Sequence, residues 1–182
     1  MTEYEKDYFV GGVYKDPHYF DFPAHEIRVV KLIDLLHPYS VLDVGCAYGY
    51  IVKHFMERGV NAWGCDVSHW CEQQAKEIIP DRFVLAPAWD LSFFRDKSFD
   101  VIYCEGVLEH IPEDKIGLTF KEFQRVGKRF YLQIALSNIP GFDGELGHVC
   151  KHDQNWWVEK IPSHSWLAPI ATQDNNVWIY KG

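Results

Sequence analysis

At 182 residues and 47% hydrophobic content, the chain has the size of one ordinary domain able to bury a substantial core. Its formal charge of −8 disfavours broad binding to a phosphate backbone, which depends on clustered Lys and Arg, so nucleic acid is not an expected partner. No apolar run approaches the roughly 20 residues of a membrane helix, and the opening Met1-Thr2-Glu3-Tyr4-Glu5 lacks the basic start of a secretory signal, so a cytoplasmic protein with no membrane span is expected.

In chain order, the first twenty-two residues are rich in Tyr and Phe and broken by Gly11-Gly12 and Pro17, and read as an irregular arm. A helix is predicted from Pro23, since proline suits a first helical position, with Ile27, Val30, Leu32, Ile33, Leu35 and Leu36 as its inner face and Pro38 beyond its end. Val41 to Val44 reads as a buried strand stopping at Gly45. Ile51 to Arg58 reads as a helix burying Ile51, Val52, Phe55 and Met56, with Gly59 as its stop. A second strand is predicted at Asn61–Cys65, then a helix capped by Ser68 and running to about Ile79. Arg82–Ala86 and Phe99–Cys104 read as strands, Pro112–Val126 as a helix, and Arg129–Leu136 as a fifth strand. Strands alternating with helices imply a parallel sheet covered on both faces. The tail differs: a short helix is expected at His152–Ile161, then strands at Ser165–Thr172 and Asn176–Lys181 joined by Gln173-Asp174-Asn175 as an antiparallel hairpin. The five cysteines lack CxxC spacing, and three fall in or beside apolar runs, so free buried thiols are expected.

The sharpest motif is Asp43-Val44-Gly45-Cys46-Ala47-Tyr48-Gly49, at the junction of the first strand and its helix. Ligands of open α/β sheets bind at such carboxyl ends. A dinucleotide turn would want a small residue where Tyr50 stands, and the turn has no lysine for a P-loop. Asp43 would oppose a pyrophosphate but suits a ligand carrying an ammonium and a sulfonium, as S-adenosylmethionine does. Asp66, about twenty residues on, is placed to accept from two ribose hydroxyls. Asp90 in Ala88-Trp89-Asp90 follows the third strand and is a candidate acceptor for an adenine amine, with Trp89 against the ring. Taken singly, each acid has a plainer reading as a turn or cap residue.

These residues resemble class I S-adenosylmethionine-dependent methyltransferases of the small-molecule type, over about Pro38 to Leu136. The resemblance implies a Rossmann-like three-layer α/β sandwich with a mostly parallel seven-stranded sheet, order 3-2-1-4-5-7-6, ending in an antiparallel hairpin. It implies a single domain over 1–182, with the arm at 1–22, a cofactor-binding core at 23–136 and an acceptor-side loop and hairpin at 137–182. It places Asp43, Gly45, Cys46, Ala47 and Gly49 at the methionine part, Asp66 and Val67 at the ribose, and Ala88, Trp89 and Asp90 at the adenine, with Glu105 also on the cofactor. Val107-Leu108-Glu109-His110 matches the signature after the fourth strand, although many relatives have Glu where Gly106 stands here.

An oxygen or nitrogen acceptor of a methyl group is served by a neighbouring base, for which His110 and His148 are the candidates, with His152 nearby. His148-x-Cys150-x-His152 offers three potential ligands on one side of a strand. No metal is nonetheless expected, and the displaced Glu105 counts against the Glu/Glu/His/His magnesium cluster of RNA-terminal methyltransferases that resemble this family. The acceptor is expected to be a small molecule or glycan unit, bound by Tyr8, Phe9, Tyr14 and Tyr19, the loop after His110, and Asn138 to Trp157. Of Trp156 and Trp157, one is expected to face inward. A monomer or homodimer converting S-adenosylmethionine to S-adenosylhomocysteine is the leading expectation. A non-catalytic S-adenosylmethionine-binding scaffold or partner subunit of the same fold is the alternative.

Overall fold

The computed structural model describes residues 4–11, 21–137 and 147–162, together with the backbone of Trp166–Leu167 and Val177–Lys181. The expected acceptor-side residues Tyr14, Tyr19 and 138–146 lie outside the described residues, as does the hairpin connection Gln173-Asp174-Asn175. The chain divides into two units, Met1–Pro87 and Ala88–Gly182.

The first unit opens with a π-helical turn, Asp7–Gly11, followed by α1 (Pro23–Leu36), β1 (Ser40–Val44), α2 (Tyr50–Glu57), β2 (Asn61–Asp66), α3 (His69–Ile78) and β3 (Phe83–Leu85). Pro23 sits in the first turn of α1, and His37 ends it in a left-handed conformation with its N–H returned to the Ile33 carbonyl. β1 is buried at all five positions, the polar Ser40 and Asp43 among them, as befits a parallel strand covered on both faces. It pairs in parallel with β2, Val41 opposite Ala62 and Val44 opposite Cys65, and β2 pairs in parallel with β3. Ser68 caps α3 by accepting the Cys71 N–H at 3.1 Å.

Two helical faces differ from the sequence reading. α1 buries His25, Val29, Leu32 and Leu36, and leaves Ile27, Val30 and Leu35 exposed. The apolar residues cover too much of the helix circumference to define one stripe, so packing chooses among them. In α2, His54 is buried and Met56 exposed. His54 is accommodated because Nε2 meets the Asp21 carboxylate at 2.8 Å.

The second unit contains β4 (Phe99–Glu105), a 3-10 turn (Leu108–His110), α4 (Glu113–Val126), β5 (Gly127–Gln133), α5 (Gln154–Lys160), β6 (Trp166–Leu167) and β7 (Val177–Lys181). β4 and β5 are parallel, β7 runs antiparallel to β5, and β6 antiparallel to β7. Within the two units the strand orders are β3-β2-β1 and β4-β5-β7-β6. β5 begins two residues earlier than its apolar pattern suggests, because α4 passes into it without a loop at Gly127, where a Cβ would run into the Ile102 side chain. It also stops at Gln133, so Ile134 to Leu136 continue as irregular chain, with Ile134 and Leu136 buried. Trp157 is fully buried in α5 while Trp156 stacks on His152, with ring centroids 3.7 Å apart.

α4 also fixes the segment entering β4. Glu122 receives both Arg125 Nε and Nη2 at 2.7 Å and accepts the Leu91 N–H, while Arg125 donates to the Leu91 and Phe94 carbonyls and to Asp96. All five cysteines are buried free thiols.

Candidate functional site

The turn after β1 takes three left-handed conformations in five residues: Gly45 at φ 79°, Ala47 at 46° and Gly49 at 88°. Gly49 caps α2 in that conformation, and a Cβ there would also lie 2.5 Å from Ile79 Cδ1, so the position is closed to larger residues twice over. Ala47 is held in its strained geometry by a specific bond: its N–H donates to Asp66 Oδ2 at 3.0 Å. Asp66 Oδ1 accepts the Ser68 N–H at 3.0 Å, so one carboxylate at the end of β2 ties the glycine turn to the start of α3. The backbone N–H groups of Gly45 and Cys46 both donate to the Cys65 carbonyl, at 2.8 and 3.1 Å. The turn is thereby drawn against the end of β2.

Asp43 and Asp66 converge on this turn. Burial pushes the Cys46 thiol well above the ordinary cysteine range, and the charges of Asp43 and then Asp66 push it further; Asp66 and Asp43 act on Cys65 in the same direction. Asp43 is buried, and no Lys or Arg stands anywhere in residues 43–49. Burial raises the Asp66 carboxyl, opposed by the N–H bonds from Ser68, Ala47 and Val67. A pair of carboxylates and three left-handed backbone positions, with no Lys or Arg within residues 43–49, suit a cationic nucleoside better than a diphosphate.

Phe9 was expected on the acceptor side, but it is buried against Tyr48 and Cys71, with Tyr4, Tyr8, Ala47, Tyr50 and Trp70 packed around them. Its ring lies 5.7 Å from that of Tyr48, whose hydroxyl accepts the Trp70 indole N–H at 3.0 Å. The arm therefore packs onto the glycine turn itself. Sequence reasoning also passed over Gly64, where a Cβ would sit 2.5 Å from Cys46 Sγ. The glycine two residues before Asp66 on the same strand was the available signal.

In the second unit, Ala88 is buried, Trp89 partly so, and Asp90 is exposed. Asp90 accepts the Ser92 N–H at 3.2 Å, and hydrogen bonding from the Ser92 side chain, then from its N–H, holds the carboxyl below the usual carboxylate range. That is the turn-residue reading of Asp90. Glu105, at the end of β4, accepts the Tyr103 hydroxyl, and the Tyr103 ring stacks on Tyr131 at 5.1 Å.

The signature after β4 forms a second centre. Glu109 is buried, its Oε1 accepting the Ala135 N–H at 3.0 Å and its carbonyl accepting the N–H groups of Val149 and Cys150, both at 2.9 Å. These bonds bring residues 147–150 over the 3-10 turn. His110 Nδ1 lies 3.0 Å from the Gly147 carbonyl, which only accepts, so Nδ1 carries the proton and the lone pair is on Nε2. Burial, and next the neighbouring His148, pull His110 down to about 4, and the ring is neutral at pH 7. His148 is buried with its ring 4.6 Å from that of His110, edge to face. Ligand-capable atoms of Glu109, His110 and His148 all lie within 4.8 Å of one another. The alternation imagined for His148, Cys150 and His152 does not occur, since residues 147–152 form no strand. His152 instead stacks on Trp156 and meets Glu113 at 2.9 Å.

Among known proteins, residues 42–129 match the family model for a methyltransferase domain. A ubiquinone biosynthesis O-methyltransferase of Idiomarina loihiensis is 30% identical over 151 residues, covering 76% of this chain and 61% of the relative. The chain thus spans less than two thirds of that relative's length. A Pyrococcus horikoshii protein of known structure is 26% identical with a TM-score of 0.55, over 66% of this chain and 64% of that one. An S-adenosylmethionine-dependent methyltransferase of Archaeoglobus fulgidus shares the fold at 17% identity and a TM-score of 0.60, over 75% and 66% of the two chains. Among the described residues, no helix is long and apolar enough to cross a membrane.

Proposed function

We propose that this chain, which belongs to the class I S-adenosylmethionine-dependent methyltransferases, binds S-adenosylmethionine at the glycine turn and methylates a hydroxyl oxygen of a small molecule or glycan unit. The observation that carries the reading is that Asp66 binds the Ala47 N–H of a turn that directly follows the buried Asp43 and has no Lys or Arg in residues 43–49. S-adenosylmethionine, when bound, supplies a methyl group on a sulfonium, which is transferred by in-line displacement. Asp43 is assigned to the cationic methionine part, with Gly45, Cys46, Ala47 and Gly49 shaping the backbone around it. Asp66 and Val67 are assigned to the ribose, and Ala88, Trp89 and Asp90 to the adenine, with Glu105 at the end of β4.

On the acceptor side, His110 and His148 are assigned as the catalytic residues, because the Glu109 carbonyl anchors their two segments together and His110 keeps a lone pair on Nε2. Orientation and exclusion of water are the larger part of the task in a displacement at carbon. An oxygen acceptor is favoured because the curated relative is named as an O-methyltransferase. Calorimetry with S-adenosylhomocysteine tests the cofactor assignment. Saturable binding is expected, and no heat at millimolar ligand overturns it. Transfer of labelled methyl groups to hydroxylated small molecules tests the activity, and binding without any labelled product would favour the scaffold reading.

A further inference from the structure

We infer that a cleft at the amino ends of β4 and β5 binds a small anion bearing a phosphate group, at a site separate from the glycine turn. The cleft has a volume of about 560 Å³, within the range of small-ligand pockets, and its lining includes Lys97, Asp100, Gln124, Gly127, Lys128 and Arg129, all in the second unit. Three basic side chains and one acidic one line it, in a chain whose formal charge is −8, so the sign of the charge is reversed locally. β7 adds a further basic residue at the same strand end, since Lys181 stands opposite Arg129 in register. β4 runs from Asp100 at this cleft to Glu105 at its carboxyl end, about 16 Å of strand, and the ligands of open α/β sheets bind at carboxyl ends. The cleft lies at the other end.

The basic groups are held at the cleft by specific bonds. Lys97 takes a left-handed conformation, φ 54°, with its backbone N–H on the Arg125 carbonyl at 2.8 Å. Its Nζ donates to the Gln124 and Gly127 carbonyls at 2.5 and 3.1 Å, which offsets the negative end of α4 that would otherwise repel an anion. Those two bonds leave one of the three ammonium donors for a ligand, and among the described residues no carboxylate pairs with Lys97. Lys128 Nζ meets Asp100 Oδ1 at 2.8 Å, and Arg129 Nε lies 3.4 Å from the Asp100 carbonyl, so Asp100 draws both to the cleft. One carboxylate offsets one of the three cations, and the remaining charge matches a phosphate dianion. Lysine and arginine are the usual partners of phosphate oxygens. Capping α4 and pairing Lys128 would need none of the open volume left between these groups.

The test is nuclear magnetic resonance of the isotope-labelled full chain, titrated with inorganic phosphate and with phenyl phosphate at an ionic strength held constant by chloride. Saturable amide shifts confined to residues 97–100 and 124–130 are expected from at least one probe, and the tighter probe tells free phosphate from an organic ester. Lys97→Gln, which keeps a donor for the α4 carbonyls, should weaken binding by at least about threefold. If that variant does not fold, Lys128→Gln should do the same. Asp100→Asn should tighten binding by a similar factor, because it removes the one repelling carboxylate, and a merely loosened fold would not tighten anything. No saturable shift at tens of millimolar of either probe overturns the site, as do shifts spread over basic residues of the whole surface. Affinity unchanged in the folded variants overturns it as well. So does competition by S-adenosylhomocysteine, which would move the phosphate to the glycine turn.

Discussion

Asp66 accepts the backbone N–H of Ala47 at 3.0 Å across nineteen residues of sequence, and through this bond the end of one strand holds the glycine turn of its neighbour. The carboxylate thus has a structural duty before any cofactor arrives. Asp66→Ala should lower affinity for S-adenosylhomocysteine by about 1–3 kcal/mol, since ribose donors and the Ala47 and Ser68 amides all lose an acceptor. Calorimetry on the folded variant reads the change. An affinity equal to that of wild type would remove Asp66 from the cofactor site and leave it only the structural duty.

Gly64 makes the close approach of this turn possible, because a Cβ would fall 2.5 Å from Cys46 Sγ and 2.9 Å from Cys46 Cβ. Gly64→Ala should therefore cost about 1–3 kcal/mol in denaturant unfolding, the usual penalty for an overpacked core. Cys46→Ala in the same chain removes the sulfur and should recover part of that loss, which a double-mutant cycle measures as a coupling energy. Additive effects would mean that the turn yields without strain and that Gly64 is not its spacer.

β1, β2 and β4 were legible in the sequence because each is a short, mostly apolar run ending at a glycine or an acid, and β1 is buried at all five positions. The inner face of α1 was not. With apolar residues at Ile27, Val30, Ile33 and Leu35 as well as Val29, Leu32 and Leu36, the helical period alone does not choose a side. The glycine turn and Asp66 were legible from spacing, whereas the Glu109–His110–His148 cluster was not. His148 reaches His110 through backbone bonds from Val149 and Cys150 to the Glu109 carbonyl, and such bonds leave no side-chain signature in the chain.

The bidentate pair of Glu122 with Arg125 predicts a pH dependence. Hydrogen bonding to Arg125 holds the Glu122 carboxyl below its ordinary value of 4.5 in the folded chain. A carboxyl whose folded value is depressed binds fewer protons folded than unfolded, so its stabilisation is complete above about pH 4.5 and is lost as pH falls through the lowered folded value. Side-chain exposures of 29% for Arg125 and 19% for Glu122 leave part of the pair screened, so its contribution is on the order of 1 kcal/mol. Glu122→Gln should destabilise the protein at neutral pH and flatten the acid limb of its stability profile. An unaltered acid limb would assign that limb to other carboxyls.

Phe9 tests whether the arm is a working part of the first unit. Its side chain is 5% exposed and packs on Tyr48, whose hydroxyl accepts the Trp70 indole N–H, while Lys6 Nζ lies 5.3 Å from the Trp70 ring centre. The π-helical turn Asp7–Gly11 is too short to be stable alone, so its order comes from this contact. Removing a buried phenyl ring from the middle of a protein typically costs about 3–5 kcal/mol, but a short terminal segment can detach locally before the core unfolds. Phe9→Ala should therefore speed hydrogen exchange at the amides of residues 7–11 and shift Trp70 fluorescence toward the solvent-exposed spectrum. The midpoint of global unfolding should fall by less than a fully coupled core ring would require. A large cooperative loss of stability, with exchange in the arm rising only in step with the whole chain, would instead make the arm an integral part of the core.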